Sequence, residues 1–259
     1  MVLSNTDYEL RLLVDPDRTL DKEGRPVDDV RDAFDIDERQ QIVMQFVDGV
    51  GLTLNNAGWN VRLRAFEGED ELQLTYKKRY PIDDDGDADD AIDSARAQAE
   101  ADGFGADSDE YESQVEWGRR HKTLSISKKV KLDPEDANPL DLPGEQRSRE
   151  LAVENIPGRL GEQVSPVSAR NVLAEAHLFG PVSGERWKGT WRGKKVSFEV
   201  WHIKALPGQE EKPVVEVSLK EDDRGEAKRL RKKLRDLLED QGWLIDGDSL
   251  KTQMILERY

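Results

Sequence analysis

The sequence predicts an α+β protein that is mainly antiparallel β, its strands closed into a barrel and its helices on the flanks. Three observations predict this. Runs that alternate apolar and polar residues recur along the chain. Short turns join them as in hairpins, without the regular strand–helix alternation of a doubly wound sheet. Several runs also carry basic residues on one face, and a closed barrel collects such rows in its interior.

Asp7–Val14 is the first strand, with Asp7, Glu9 and Arg11 on one face. Residues 15–38 are polar and turn-rich around Pro16, Gly24 and Pro26. Gln41–Val47 is rich in β-branched and aromatic residues and reads as a strand. Asn60–Phe66 alternates, with Arg62 and Arg64 opposite Val61, Leu63 and Ala65. Glu71–Tyr80 alternates again, with Gln73, Thr75, Lys77 and Arg79 on one face. A four-residue turn separates the two runs, as in an antiparallel hairpin.

Asp84–Gly103 reads as a helix, acidic at its start and stopped by Gly103. Its apolar stripe is Ile92, Ala95 and Ala99, followed by Phe104. Trp117–Leu132 returns to strand, and the proline-rich stretch 133–161 is connection with one helix at 145–154. Val172–Phe179, Glu185–Trp191, Lys195–Lys204 and Pro213–Lys220 are further strands. Arg224–Gly242 is the strongest helix, with Leu230, Leu234, Leu237 and Leu238 on one face and Gly242 as its stop. Ser249–Tyr259 reads as a final strand.

The chain has 259 residues and a net charge of −16, unevenly spread. Residues 83–112 hold thirteen acids against one base, Arg96, a net of −12. Basic residues cluster elsewhere: Arg119–Lys131 carries six and Arg186–Lys195 five, neither with an acid. Basic strands within an acidic protein imply an anion site inside a negative exterior. Such an exterior disfavours duplex DNA, whose phosphates need a broad basic surface. It also offers the acidic stretch as a recruiting surface for a basic protein partner. No run of about 18 apolar residues occurs, so no membrane helix is expected. The absence of cysteine excludes disulfides, thiol catalysis and Cys-built zinc sites. The N-terminal residues show no signal-peptide pattern, so a soluble cytoplasmic protein is expected.

The strand faces carry the chemistry. Two carboxylates and a guanidinium on the first strand cannot enter an apolar core together. They face water, a metal or a charged ligand. Cations collected inside a barrel repel one another unless an anion fills the space, and polyphosphate suits Arg and Lys. Carboxylates in the same place suit Mg²⁺ or Mn²⁺, hard ions that bridge carboxylate and phosphate. His121, His177 and His202 match no metal spacing, and neither a Gly-x-Ser-x-Gly elbow nor a Walker-type loop occurs. The six tryptophans read as packing residues around a barrel.

These residues resemble a family. DYELRLLV at 7–14 resembles the opening Glu-x-Glu-x-Lys strand of the CYTH domain, or triphosphate tunnel metalloenzyme, here as Asp7-x-Glu9-x-Arg11. Residues 45–64 resemble its aromatic–aspartate turn followed by an Arg-x-Arg strand, and QLTYKK at 73–78 its Thr-x-Lys strand. SFEVW at 197–201 and VVEVSL at 214–219 resemble later acidic strands. The likeness covers residues 7 to 259 as one tunnel domain, with an acidic helical and loop insertion at about 83–160.

The resemblance implies an eight-stranded antiparallel tunnel, open at both ends, holding a linear triphosphate and a divalent metal. By position it implies a metal at Asp7, Glu9 and Glu216, with Mg²⁺ or Mn²⁺ as the ion. It assigns phosphate binding to Arg11, Arg62, Arg64 and Lys77, and less directly to Arg186 and Lys188 on a later strand; Arg79, on the same strand face as Lys77, joins them as a candidate. Glu9, Arg11 and Glu199 take catalytic positions. The implied activity is hydrolysis of inorganic tripolyphosphate or a small organic triphosphate. Two departures favour an alternative, a tunnel that binds polyphosphate or nucleotide with little turnover. Ser218 stands where the late strand has its second acid, and Arg11 stands for Lys, which removes a plausible base.

Overall fold

The computed structural model describes residues 3, 6–82, 88–105, 110–134, 138, 140–163, 168–248 and 251–259. The strands are β1 (Asp7–Val14), β2 (Glu38–Asp48), β3 (Trp59–Phe66), β4 (Leu72–Ile82), β5 (Glu112–Trp117), β6 (Lys122–Leu132), β7 (His177–Trp191), β8 (Lys194–Trp201) and β9 (Val214–Glu221). They close into a barrel in the order β1-β5-β6-β4-β3-β2-β7-β8-β9, and β9 pairs back onto β1. The helices are α1 (Pro16–Thr19), α2 (Asp28–Phe34), α3 (Thr53–Asn56), α4 (Ala88–Ala101), α5 (Glu145–Glu154), α6 (Gly158–Gln163), α7 (Ala169–Ala174), α8 (Arg224–Asp240) and α9 (Lys251–Arg258). Among the described residues no helix is long and apolar enough to cross a membrane.

The barrel expected from the sequence is present, with nine strands among the described residues rather than eight. The added strand is β5, which lies between β1 and β6 and runs parallel to β1. The single strand expected over Trp117–Leu132 is instead a hairpin of β5 and β6, antiparallel to each other. Its turn closes through the Gly118 amide, which donates to the His121 carbonyl at 2.9 Å. Asp248 fastens that turn, accepting from the backbone amides of Arg119, Arg120 and His121. Thus the stretch 83–160, read as an insertion, supplies two staves of the barrel. Its parts outside the barrel are α4, α5, α6 and their connections.

The strands are polar inside and apolar outside. On β1, Tyr8, Leu10, Leu12 and Val14 are buried, while Asp7, Glu9 and Arg11 line the interior. On β4, Leu74, Tyr76 and Tyr80 are buried on the outer face, while Thr75, Lys77 and Arg79 line the interior. An apolar outer face needs cover, and the helices provide it. Helix α8 packs on β1 and β9 and buries Leu230, Leu234 and Leu238, one per turn. Asp223 caps it by accepting from the Glu226 amide at 2.7 Å, and it stops where Gly242 takes φ +68°.

Helix α4 packs on β4 with the expected stripe of Ile92, Ala95 and Ala99 fully buried or nearly so. Residues 84–87 of the helix expected here lie outside the described residues. Phe104, just after it, meets the rings of Trp59, Tyr80 and Tyr111. The two β4 tyrosines also bond outward. Tyr80 Oη donates to Asp102 at 2.8 Å, and Tyr76 Oη donates to the Ala152 carbonyl on α5 at 2.6 Å.

Two further expectations are corrected. The strand expected over Val172–Phe179 is the end of α7 followed by the start of β7. The strand expected over 249–259 is helix α9, with 249 and 250 outside the described residues. Its apolar residues form a short run, a pattern that does not separate strand from helix. Packing decides the matter. Ile255 and Leu256 are buried in a second apolar cluster with Met44, Phe46, Phe66 and Trp201.

Candidate functional site

The barrel interior is a cavity of about 1340 Å³. Its walls differ by arc. The consecutive strands β8, β9, β1 and β5 present Glu199, Glu216, Glu9 and Glu116. The opposite arc, β4 and β3, presents Lys77, Arg79, Arg62 and Arg64. Period-two geometry places each set on the inner face.

On the acidic arc the carboxylates meet in pairs. Glu199 stands directly opposite Glu216, and Glu9 directly opposite Glu116. Like charges at that register repel, so each pair needs cations. Arg11 supplies one: its guanidinium is 2.5 Å from Glu9, 3.7 Å from Glu116 and 3.7 Å from Glu216. Lys77 reaches Glu116 at 2.6 Å, and Ser125 donates to the same oxygen at 2.9 Å. Lys251 of α9 lies 3.0 Å from Glu199 Oε2 and 2.7 Å from Glu216 Oε1. Arg186 gives Glu199 Oε1 two bonds, at 2.9 and 2.8 Å, and the Trp201 indole donates to Oε2 at 2.9 Å.

The electrostatics follow. Burial alone lifts the Glu9 and Glu116 carboxyls, but the neighbouring cations outweigh it. Arg11 holds Glu9 below the usual carboxylate range, and Lys77, Arg79 and Arg11 hold Glu116 well below it. For Glu199, burial is outweighed in the same way by Lys251 and Arg186.

On the basic arc only Lys77, among the described residues, has a carboxylate at ion-pair distance. Among the described residues no carboxylate lies within ion-pair distance of Arg62, Arg64 or Arg79. Arg64 donates to Gln73 at 3.0 Å and Arg79 approaches Thr252 at 3.4 Å. The Nε atoms of Arg62 and Arg64 are buried without a hydrogen-bond partner, as is Thr75 Oγ1 between the strands. Burial and the Arg79 charge push Arg62 down to about 10. Burial, then Arg62 and Arg186, push Arg64 well down too. Both guanidiniums stay charged at neutral pH and are short of a counter-anion. Arg64 and Arg186 also both sit over the Phe66 ring, at 4.5 and 5.0 Å.

Most residues singled out from the sequence therefore meet in one cavity: Asp7, Glu9, Arg11, Arg62, Arg64, Lys77, Arg79, Arg186, Glu199 and Glu216 all line it. Asp7 is exposed at its edge. Lys188 does not line the cavity and pairs with Glu38 at 2.7 Å. Two further charged residues of the cavity, Glu116 and Lys251, lie outside the set that the sequence predicts. Glu116 was legible in the inward row Glu112, Gln114, Glu116, had the strand been started at 112. Lys251 carries no such signal, because the short apolar run of its segment fits a strand as well as a helix.

The carboxylates as arranged do not fit a divalent ion. A hard divalent ion takes six or more oxygens; Mg²⁺ draws one or two of them from carboxylates and the rest from water and phosphate, so those carboxylates must be free. Here Glu9 holds Arg11, Glu216 Oε1 holds Lys251, and Ser218 offers a hydroxyl where a further carboxylate is wanted. Among the described carboxylates of the cavity, Glu216 alone has a buried oxygen, Oε2, without a hydrogen-bond partner. Among the described residues no group of three or more Asp, Glu, His or Cys is placed to hold a metal.

The sequence matches no protein-family model and no curated protein. Solved structures do resemble the fold. HpAC1 from Hippeastrum, a candidate adenylyl cyclase reported to have a dominant triphosphatase activity, superposes with a TM-score of 0.57 at 13% identity, over 97% of this chain and 96% of its own. A candidate adenylate cyclase from Bacillus halodurans gives 0.50 at 10% identity, over 96% and 97%. These likenesses are of fold alone, and that fold is the closed barrel that the resemblance of the strand motifs implies.

Proposed function

We propose that this CYTH-type barrel binds a linear polyphosphate of the triphosphate class, free or carried on a small organic group, and that binding is its principal property. One observation carries the reading. Arg62, Arg64 and Arg79 project into a large cavity and, among the described residues, no carboxylate lies at ion-pair distance from them. Buried cations are costly unless paired, and an anion in the cavity supplies the missing charge.

The cations lie in rows along β3 and β4, with Arg62 and Arg64 two residues apart, roughly 7 Å along the strand. A row suits an extended polyanion better than a single phosphate. Thr75, opposite Arg62 in register, adds a hydroxyl to the same surface. The guanidiniums can donate in parallel pairs to phosphate oxygens, which gives strength as well as direction. Hydrolysis, the activity implied by the family resemblance, calls for a metal at carboxylates that already hold Arg11 and Lys251.

The test is calorimetry of the full chain with tripolyphosphate, pyrophosphate and orthophosphate, with and without Mg²⁺. Tripolyphosphate is expected to bind at least about tenfold tighter than orthophosphate, since each added charge-assisted bond is worth a factor of this order. No tripolyphosphate binding in either condition removes the proposal. Phosphate release that needs Mg²⁺ or Mn²⁺ and disappears in Glu9→Gln replaces it with the hydrolase reading.

A further inference from the structure

Glu199 on β8 and Glu216 on β9 face each other in direct register. Their side chains are only 9% and 2% exposed. Two carboxylates so close and so dry repel strongly unless a cation sits between them. We propose that Lys251 is that cation, built into the chain in the place where a divalent metal would sit, so that polyphosphate binds here without a metal. The ligand named here rests on the function proposed above. The place of Lys251 between the two carboxylates is independent of it.

The geometry supports a permanent arrangement. The Lys251 ammonium bridges the pair, 3.0 Å from Glu199 and 2.7 Å from Glu216. It also lies 4.6 Å from the centre of the Trp201 ring, a cation–π contact. Its helix is anchored rather than loosely laid against the barrel. Ile255, one turn on and therefore on the same face, is fully buried against the cluster of Met44, Phe46 and Trp201. The other acceptor sites of Glu199 are filled by Arg186 and Trp201. A metal entering here would have to displace an ammonium that already makes two charge-assisted bonds. It would gain no third carboxylate, because Ser218 stands next in the inner row of β9.

The experiment reads metal binding and ligand binding separately on the full chain. Mn²⁺ binding is followed by the loss of its free-ion spin-resonance signal, and tripolyphosphate affinity by calorimetry in EDTA and in Mn²⁺. The expected result for the native chain is no Mn²⁺ uptake and an affinity in EDTA within about threefold of that in Mn²⁺. Lys251→Met should take up Mn²⁺, and its affinity in EDTA should fall about tenfold or more and return with Mn²⁺. Lys251→Arg should keep the native pattern. Mn²⁺ uptake by the native chain overturns the inference whether or not Lys251→Met folds. So does a Lys251→Met protein, folded by circular dichroism, that stays blind to Mn²⁺. Failure of tripolyphosphate to bind at all would sink the proposed function, and the Mn²⁺ measurements would still decide the role of Lys251.

Discussion

Lys77 and Glu116 meet at 2.6 Å on the cavity wall although their strands, β4 and β5, are not neighbours. Both strands pair with β6, which lies between them and contributes Ser125 to the same carboxylate. The pair thus spans two strand spacings, and it is where the basic arc meets the acidic one. Lys77 belongs to both. It neutralises Glu116 and still stands in the row of Thr75 and Arg79.

That position makes binding sensitive to pH. Burial lowers the Lys77 ammonium to about 8, and Arg79 and Arg62 push the same way against the opposing Glu116. Protonated Lys77 favours a polyanion, and a bound polyanion favours protonated Lys77. Affinity should therefore fall as pH rises through about 8, with protons taken up on binding in that window. The contribution to stability has the opposite sense. The unfolded lysine titrates near 10.5, so between about 8 and 10.5 the unfolded chain holds more protons and this group's contribution to stability rises with pH. Calorimetry in buffers of different ionisation heat reads the proton uptake. Lys77→Met should flatten the profile, and an unchanged slope in that variant would assign the effect elsewhere.

Arg62 separates ligand binding from stability. Arg62→Met should weaken tripolyphosphate binding by about tenfold or more, as one charge-assisted partner is lost. It should also stabilise the free protein, because it removes a buried cation that, among the described residues, has no carboxylate at ion-pair distance. A gain of about 1 kcal/mol would raise Tm by roughly 2–4 °C. Lys188→Met serves as the control, since Lys188 pairs with Glu38 outside the cavity. A variant Arg62→Met that melts lower and binds normally would show a structural cation.

The barrel and most of the cavity were legible in the sequence because both rest on period two. Once Arg62, Arg64, Thr75, Lys77 and Arg79 alternate with buried residues, any closed sheet places them together inside. What period two does not encode is strand order. The parallel pairing of β5 with β1 sets Glu116 opposite Glu9, and nothing local to either strand signals it. Lys251 is harder still. Its place depends on Ile255 and Leu256 finding a cluster built from β2, β3 and β8, a contact decided by tertiary packing. Lys188 misled because it lies two residues beyond Arg186 on a strand that outruns the cavity, where Glu38 of β2 meets it in register.

Asp48 tests the frame that carries the basic arc. It is buried and accepts from the backbone amides of Gly49, Leu54 and Asn55 at 2.7 to 2.9 Å. These bonds fix the turn into α3 and hence the entry to β3. Asp48→Ala leaves buried amides without partners and should cost about 1–3 kcal/mol per unsatisfied group that water cannot reach. The expected result is a Tm lower by several degrees, with tripolyphosphate binding retained well below the transition. A melting temperature equal to that of the native chain would mean that the turn holds its shape by other bonds.

Ser218 offers the sharpest test of the acidic arc. It lies opposite Arg11 on β1 and opposite Ser197 on β8, and it follows Glu216 in the inner row of β9. Ser218→Glu adds a carboxylate beside Glu216, as the family motif has it. If Lys251 and Arg11 hold this arc, the new acid has a guanidinium to pair with and still no room for a divalent ion. Ser218→Glu alone should then leave Mn²⁺ uptake absent. Combined with Lys251→Met it should bind Mn²⁺ about tenfold or more tighter than Lys251→Met alone, since ligand charge raises affinity for a hard ion. Mn²⁺ binding by Ser218→Glu alone as tight as that of the double variant would mean that the missing carboxylate, and not the resident ammonium, keeps the metal out.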